Sequence, residues 1–139
     1  MKYLKENDRY VLILHKDDKI NESIKKLAVA EKIENASYTG IGGADILTLG
    51  YLDLKTKLYV EKEFSAYYEI LNLTGNISTL DGESFCHTHI TLSDTEFNCF
   101  GGHLVEGQIA VTAEIFIYVS ETKLERKPDP DFGFNFITL

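Results

Sequence analysis

Three of the four histidines in this sequence lie close together, at a spacing that could build a metal site. His87 and His89 form an H-x-H pattern, and His103 directly follows Gly101 and Gly102. Residues two apart on a strand point to the same side of a sheet, so the first two imidazoles would share a face. The two glycines leave space beside the site, or permit a bulge that directs His103.

The turn between the two histidine segments decides whether His103 joins this pair. If Asp94 to Glu96 form a three-residue hairpin loop, His103 pairs with His87, at a Cβ separation of about 4.5–5.5 Å. A one-residue shift in the loop would turn His103 to the other side of the sheet. The spacing therefore predicts a three-histidine metal site, whereas His15 has no such partners and is interpreted as structural or exposed.

Three neutral imidazoles suit zinc, nickel, copper or iron(II), and such a site normally leaves one position for water or a substrate. Glu69 and Glu114 also need an explanation, because each interrupts an apolar run where an unpaired carboxylate is costly. Glu114 is interpreted mainly as solvated. For Glu69 a functional role is an equal alternative, as a fourth ligand, a carboxylate behind a ligand, or a general base.

The two cysteines, Cys86 and Cys99, are predicted to be free thiols, because the chain opens on charged residues where a secretion signal needs an apolar run. Both are interpreted as small buried apolar residues, since nothing basic lies beside them in the sequence. No segment approaches the length of a membrane span. A cytoplasmic protein without a membrane partner is therefore expected.

The surrounding sequence predicts a single α+β domain over residues 1–139. Arg9 to His15 is typical of a strand, and Ile20 to Ile33 has the periodicity of an amphipathic helix. The glycine-rich run from Ala36 to Leu52 predicts a strand with a bulge. Further strand-like runs separated by short polar turns indicate a mostly antiparallel sheet covered by the helix, and the apolar C-terminal tail is expected to be tethered.

The charge balance argues against a nucleic-acid surface. The formal net charge is −8, and the cations are twelve lysines and only two arginines, Arg9 and Arg126. Binding to the phosphate backbone relies on cations that replace counterions, and base reading relies heavily on arginine. An acidic, arginine-poor domain is therefore expected to bind DNA poorly.

The order of motifs resembles the PPC (plants and prokaryotes conserved) domain. The resemblance rests on "RYVLIL", "GIGGADILTLGYLD", "YYEILNLTGNIS", "HTHITLSD", "GGHLVEGQIAVTAEIFI" and "RKPDPDFGFNFITL". It implies a compact α+β domain that forms a homotrimer. It also implies a bound metal on His87, His89 and His103, with zinc as the first expectation. It also implies a fold similar to that of acetolactate decarboxylase, a zinc enzyme with an H-x-H pattern and a downstream histidine.

The family is often described as DNA-binding, chiefly through plant members that carry an Arg-Gly-Arg-Pro hook before the domain, and this chain has no such sequence. The hypotheses are, in order, a metal-binding oligomer, a metal-dependent lyase or hydrolase acting on a small polar substrate, and a DNA-binding protein. A fourth protein ligand would favour a structural metal site. An open position facing Glu69 or an arginine would favour an enzyme.

Overall fold

The computed structural model describes residues 1–139, which form one helix and eight strands. In chain order the elements are β1 (Lys2–Glu6), β2 (Arg9–His15), α1 (Ile20–Glu31), β3 (Ala36–Asp53), β4 (Leu58–Leu80), β5 (Glu83–Ser93), β6 (Cys99–Val119), β7 (Glu125–Pro128) and β8 (Asn135–Thr138). All strand pairs are antiparallel except β4 with β7. The predicted α+β class, with a mostly antiparallel sheet, is confirmed.

Four long strands close the sheet on itself. Strand β3 pairs with β4 on one side and β6 on the other, and β5 also pairs with both β4 and β6. Strand β3 carries the predicted irregularity, with register shifts between Gly40 and Gly42 and between Ala44 and Ile46. Near the start of β6, His103 pairs with both Gly50 of β3 and His89 of β5. The histidine segments therefore lie on β5 and β6, two of the four strands that close the sheet.

Strand β1 was not predicted from the sequence. Its side chains, from Lys2 to Glu6, are all exposed, so it shows no alternation of apolar and polar residues. It is held instead by backbone pairing with β2, in a register that places Glu6 opposite Arg9. An exposed edge strand of this kind gives no alternating hydrophobic signal in the sequence.

Helix α1 packs its apolar face on the closed sheet. Its fully buried residues are Ile20, Ile24, Leu27 and Ala28, and burying each large aliphatic side chain stabilises the fold by about 1.5–3 kcal/mol. The helix ends at Glu31, two residues before the predicted Ile33, because Lys32 adopts a left-handed conformation with φ of 55°. No helix of the structure is long and apolar enough to cross a bilayer.

The first turn of α1 is held by a carboxylate from the sheet. Lys19, at the N-cap, makes no side-chain cap. Glu106 of β6 instead accepts hydrogen bonds from the backbone N–H groups of Asn21 and Glu22, at 2.9 and 3.1 Å. A carboxylate there satisfies free N–H groups and complements the positive end of the helix dipole. This contact positions α1 over the strands that carry the histidines.

The C-terminal tail is tethered, as predicted. Strands β7 and β8 form a hairpin, and β7 adds to β4 in parallel, with Leu80 beside Arg126. Arg126 is only 8% exposed, although it lies on a short edge strand. The hairpin therefore brings one of the chain's two arginines to the end of β4, close to the histidine segments.

Candidate metal centre

Three imidazoles from two adjacent strands converge on one patch. The ring centroids of His87 and His89 lie 5.1 Å apart, those of His87 and His103 5.1 Å, and those of His89 and His103 5.4 Å. A nitrogen from each ring lies within 4.8 Å of the others. The predicted convergence of the three side chains is thus present in the structure.

The pairing that produces this convergence differs from the predicted one. His103 lies opposite His89, not His87, because the loop between the strands spans five residues, Asp94 to Asn98, instead of three. A shift of two residues preserves the face on which a side chain lies, so His103 still points to the same side as the other two histidines.

The five-residue loop is stabilised by its first residue. The Asp94 carboxylate accepts hydrogen bonds from the backbone N–H groups of Glu96 and Asn98, both at 2.9 Å. These bonds, first of all that from Asn98, lower the pKa of Asp94. Phe97 completes the turn in a left-handed conformation, with φ of 64°. The aspartate-centred turn fixes the pairing of β5 with β6.

The strand segment between the first two histidines is anchored from behind by Thr88. Thr88 is fully buried, and its hydroxyl donates a hydrogen bond to the side-chain oxygen of Asn21 on α1. Because that donation uses the only hydroxyl proton of Thr88, the Tyr38 hydroxyl donates to Thr88 across 2.6 Å. The helix and β3 thus hold the backbone that presents His87 and His89.

Burial favours the neutral form of two of the three histidines, His87 and His103. It lowers the pKa of His87 to about 4, with further contributions from His103, Arg126 and His89. Burial also lowers the pKa of His103. Neutral imidazole is the form that binds metal ions. The donor set suits zinc, which three imidazole nitrogens bind at about 2.0–2.1 Å.

The two glycines before His103 play different roles. A Cβ on Gly101 would lie 2.1 Å from the Ile90 carbonyl oxygen, so only glycine fits the close approach of β5 and β6. A Cβ on Gly102 would meet nothing closer than 3.4 Å, from the Gly50 carbonyl oxygen. Gly101 therefore allows the strands to approach, and Gly102 leaves space on the side of β3.

A cavity of about 430 Å³ opens beside the histidines. Its polar lining includes His87, His103 and Arg126, and its aromatic wall consists of Tyr59, Phe85, Phe134 and Phe136. The edge of Tyr59 packs on His103 at 5.7 Å between ring centroids. The Arg126 guanidinium lies 4.8 Å from the Phe85 ring centroid. The site is thus open on one side, and an arginine lines the opening.

Glu69 lies on β4, away from the three histidines. It pairs with Ser93, whereas His89 pairs with Thr74, five residues farther along β4, which is about 16 Å in an extended strand. Its carboxylate accepts a hydrogen bond of 2.6 Å from the Tyr67 hydroxyl. Within one chain, Glu69 therefore does not join the three imidazoles.

The other predicted positions are exposed. Glu114 and His15 both lie at exposed positions, as expected.

A carboxylate that the sequence did not single out, Glu61, acts on His103 by raising its pKa against the effect of burial. Glu61 pairs with Gly50, the β3 partner of His103. Only the β3–β4 register could have pointed to Glu61 from the sequence.

The model of the Plants and Prokaryotes Conserved (PCC) domain matches residues 1–121, and with them all three histidines. The chain belongs to this family. It is the family, also abbreviated PPC, that the motifs predicted. No functionally curated protein matches the sequence.

Solved structures of PCC-domain relatives share the fold over nearly the whole chain. A candidate DNA-binding protein from Bacteroides thetaiotaomicron VPI-5482 is 29% identical, with a TM-score of 0.95, and the match covers 99% of this chain and 96% of that one. The metal-containing protein AF0104 from Archaeoglobus fulgidus is also 29% identical, with a TM-score of 0.86 and full coverage of both chains.

The fold also resembles that of a more distant protein. A Staphylococcus aureus protein described as similar to α-acetolactate decarboxylase matches 90% of this chain and 56% of its own length, with 13% identity and a TM-score of 0.60. This likeness is one of fold alone. It agrees with the fold similarity expected from the sequence.

The two cysteines of this PCC domain are free, as predicted, but their burial differs from the prediction. Burial of Cys86 raises the pKa of its thiol to about 12, which agrees with the prediction of an unreactive residue. Cys99 is exposed at the start of β6, so its interpretation as a buried residue was wrong. Cys99 pairs with Ser93 directly beside the five-residue loop, at the turn end of the hairpin, where its side chain is exposed.

Proposed function

We propose that this chain is a metal-binding, homo-oligomeric PCC-domain protein in which His87, His89 and His103 hold a zinc ion. The convergence of three imidazole nitrogens within 4.8 Å carries the proposal. Three histidine ligands with an open fourth position are typical of zinc sites. The name of the Archaeoglobus fulgidus relative, a metal-containing protein, supports the presence of a metal in this fold.

The protein's own contribution would be to preorganise the ligands. Thr88 fixes the strand between His87 and His89, and the pairing of His103 with His89 sets the third ring. Burial keeps His87 neutral, so little proton release would accompany binding at neutral pH. A bound zinc ion would supply Lewis-acid chemistry at the cavity.

Metal analysis tests the site directly. Protein purified without an affinity tag should contain about one metal ion per chain, since one three-histidine site accepts one ion. The combined variant His87→Ala, His89→Ala, His103→Ala should lose the metal and keep its circular dichroism spectrum. The exposed His15→Ala variant is the matched control and should retain the metal. Metal retained in the triple variant would show that the assignment is wrong.

Self-association, as a homotrimer, is the second part of the proposal. Ile41, Leu71 and Val111 are 56%, 48% and 64% exposed, and together they line a shallow depression on the sheet. Adjacent exposed apolar side chains are typical of interaction surfaces. Val111→Asp should reduce the mass measured by light scattering, whereas Val29→Asp, at an exposed apolar position on α1, should not. A monomeric wild-type protein would contradict this part.

A metal-dependent lyase or hydrolase is the alternative function. It is favoured by one observation, the presence of Arg126 beside His87 and His103 in an open cavity. A cationic group beside a metal position can stabilise negative charge that develops on a substrate. The alternative predicts metal-dependent turnover of a small polar substrate that is abolished both in the triple histidine variant and in Arg126→Gln.

We expect no DNA binding at physiological salt, although relatives are described as candidate DNA-binding proteins. The net charge is −8, and the only arginines are Arg9, which is ion-paired with Glu6, and the buried Arg126. Fluorescence anisotropy with a labelled duplex tests this expectation. Tight binding that weakens steeply with added salt would contradict it.

A further inference from the structure

Arg126 is a buried cation without an anionic partner. It is 8% exposed, and burial lowers its pKa. Its guanidinium donates hydrogen bonds to the Ser78 hydroxyl at 2.7 Å, the Asn76 side-chain oxygen at 2.8 Å and the Asn135 carbonyl at 2.8 Å. All three acceptors are neutral, and none of the ion pairs of the structure includes Arg126. A buried charge of this kind is costly unless an anion compensates it.

The Arg126 guanidinium has N–H groups that make no hydrogen bond within the protein. An arginine side chain carries five N–H groups in a rigid fork that matches a carboxylate, and the three bonds to neutral acceptors leave two of them free. The Phe85 ring lies 4.8 Å from the guanidinium carbon. Three contacts and a stacked ring hold the fork in place, so little side-chain entropy would be lost when an anion binds.

The cavity beside Arg126 has the dimensions and lining of a small-molecule site. Its volume of about 430 Å³ lies within the range of about 300–1,000 Å³ typical of ligand sites. Tyr59 and Phe134 pack against each other at 5.7 Å between ring centroids, and both line the cavity. A ligand that fits would have an apolar body against these rings and a negative group on Arg126.

We propose that this cavity binds a small organic carboxylate, with the carboxylate on Arg126 and an aromatic or aliphatic body against Tyr59, Phe134 and Phe136. This inference deepens the proposed function, because His87 and His103 line the same cavity and would face the ligand. It rests on the metal proposal only for the role of the histidines. The anion site itself depends on Arg126 and the aromatic wall.

Calorimetric titration with benzoate and its neutral analogue benzamide tests the charge requirement on the wild-type protein. Benzoate should bind about tenfold or more tightly, as expected for a charge-assisted bidentate contact. Acetate should bind more weakly than benzoate, because it lacks the apolar body. Inorganic phosphate should bind more weakly for the same reason, and its tighter binding would identify a phosphate site instead. Equal affinity for benzoate and benzamide, or no binding of either at millimolar concentration, would overturn the proposal.

Variants then locate the site. Arg126→Gln should lose the preference for benzoate over benzamide. Arg9→Gln, which replaces the chain's other arginine, should retain it. If Arg126→Gln fails to fold, Phe136→Ala serves instead and should weaken benzoate and benzamide alike. A crystal structure with benzoate bound away from Arg126 would also overturn the proposal.

Titrations of metal-loaded and chelator-treated protein separate this inference from the proposed function. Stoichiometric metal without a benzoate preference would leave the metal site and reject the carboxylate site. A benzoate preference that depends on Arg126, in protein that takes up no metal when zinc is added, would support the carboxylate site and reject the metal site. Tighter benzoate binding in the metal-loaded form would support both.

Discussion

His103 lies directly opposite His89 across the β5–β6 pair, and the same residue pairs with Gly50 of β3 on its other side. One imidazole is thus fixed by two strands at once. The close approach of β5 and β6 that permits this depends on Gly101, whose missing side chain leaves room for the Ile90 carbonyl oxygen.

Gly101→Ala should destabilise the protein and weaken metal binding. The new methyl group would meet the Ile90 carbonyl oxygen at 2.1 Å, so the strands would have to separate, at a cost of about 1–3 kcal/mol. Gly102→Ala is the matched control, because its methyl group would have 3.4 Å to the nearest atom. Chemical denaturation and metal titration measure both effects. Equal behaviour of the two variants would show that strand spacing does not control the site.

Thr88→Val should destabilise the fold while preserving its shape. Valine has nearly the volume of threonine, but it would leave the Asn21 side-chain oxygen and the Tyr38 hydroxyl without their shared partner. An unsatisfied buried polar group costs about 1–3 kcal/mol. Thr88→Ser keeps the hydroxyl and should therefore be more stable than Thr88→Val, with most of the wild-type stability.

Metal affinity gives a second test of Thr88. If the hydroxyl network positions His87 and His89, then Thr88→Val should bind zinc more weakly than Thr88→Ser in a competition titration with a chelator. An unchanged affinity in the valine variant would mean that the network stabilises the fold without positioning the ligands.

The sequence predicted the convergence of the histidines better than their pairing. Alternation along a strand has a period of two, so the shared face of His87, His89 and His103 survived a loop two residues longer than predicted. The loop length itself could not be derived from the sequence, because it depends on how Asp94 accepts backbone hydrogen bonds.

Arg126 was not predicted as a site residue because its position depends on long-range contacts. It is 23 residues from His103 in the sequence, and it reaches the cavity only because β7 adds in parallel to the end of β4. Glu69 had the stronger local signal, a carboxylate within an apolar run, but that signal equally fits a residue at an exposed position of the sheet. The family resemblance, in contrast, predicted the fold through motifs distributed along most of the chain.

The metal-free protein should lose stability as the pH falls from about 6.5 to about 4. His87 has a folded-state pKa of about 4, below its ordinary value of 6.5. Between these values the unfolded chain binds a proton that the folded chain does not, so unfolding is favoured as the pH falls. Above pH 6.5 both states are neutral at this position, and the effect is absent.

Denaturant unfolding of chelator-treated protein across that pH range measures the effect. His87→Gln removes one titrating group and should reduce the dependence, leaving the part that the lowered pKa of His103 contributes, whereas His15→Gln, at an exposed position, should leave it unchanged. The same slope in His87→Gln and in the wild-type protein would contradict the assignment of the effect to His87.

The two thiols should differ strongly in reactivity. Burial raises the pKa of Cys86 to about 12, whereas Cys99 is exposed at the end of the β5–β6 hairpin. Because the thiolate is the reactive form, iodoacetamide at mildly alkaline pH should label Cys99 at least about tenfold faster than Cys86. Peptide mass spectrometry after timed quenching measures both rates. In denaturant the difference should disappear, which would show that it arises from burial, and equal rates in the native protein would mean that Cys86 is accessible.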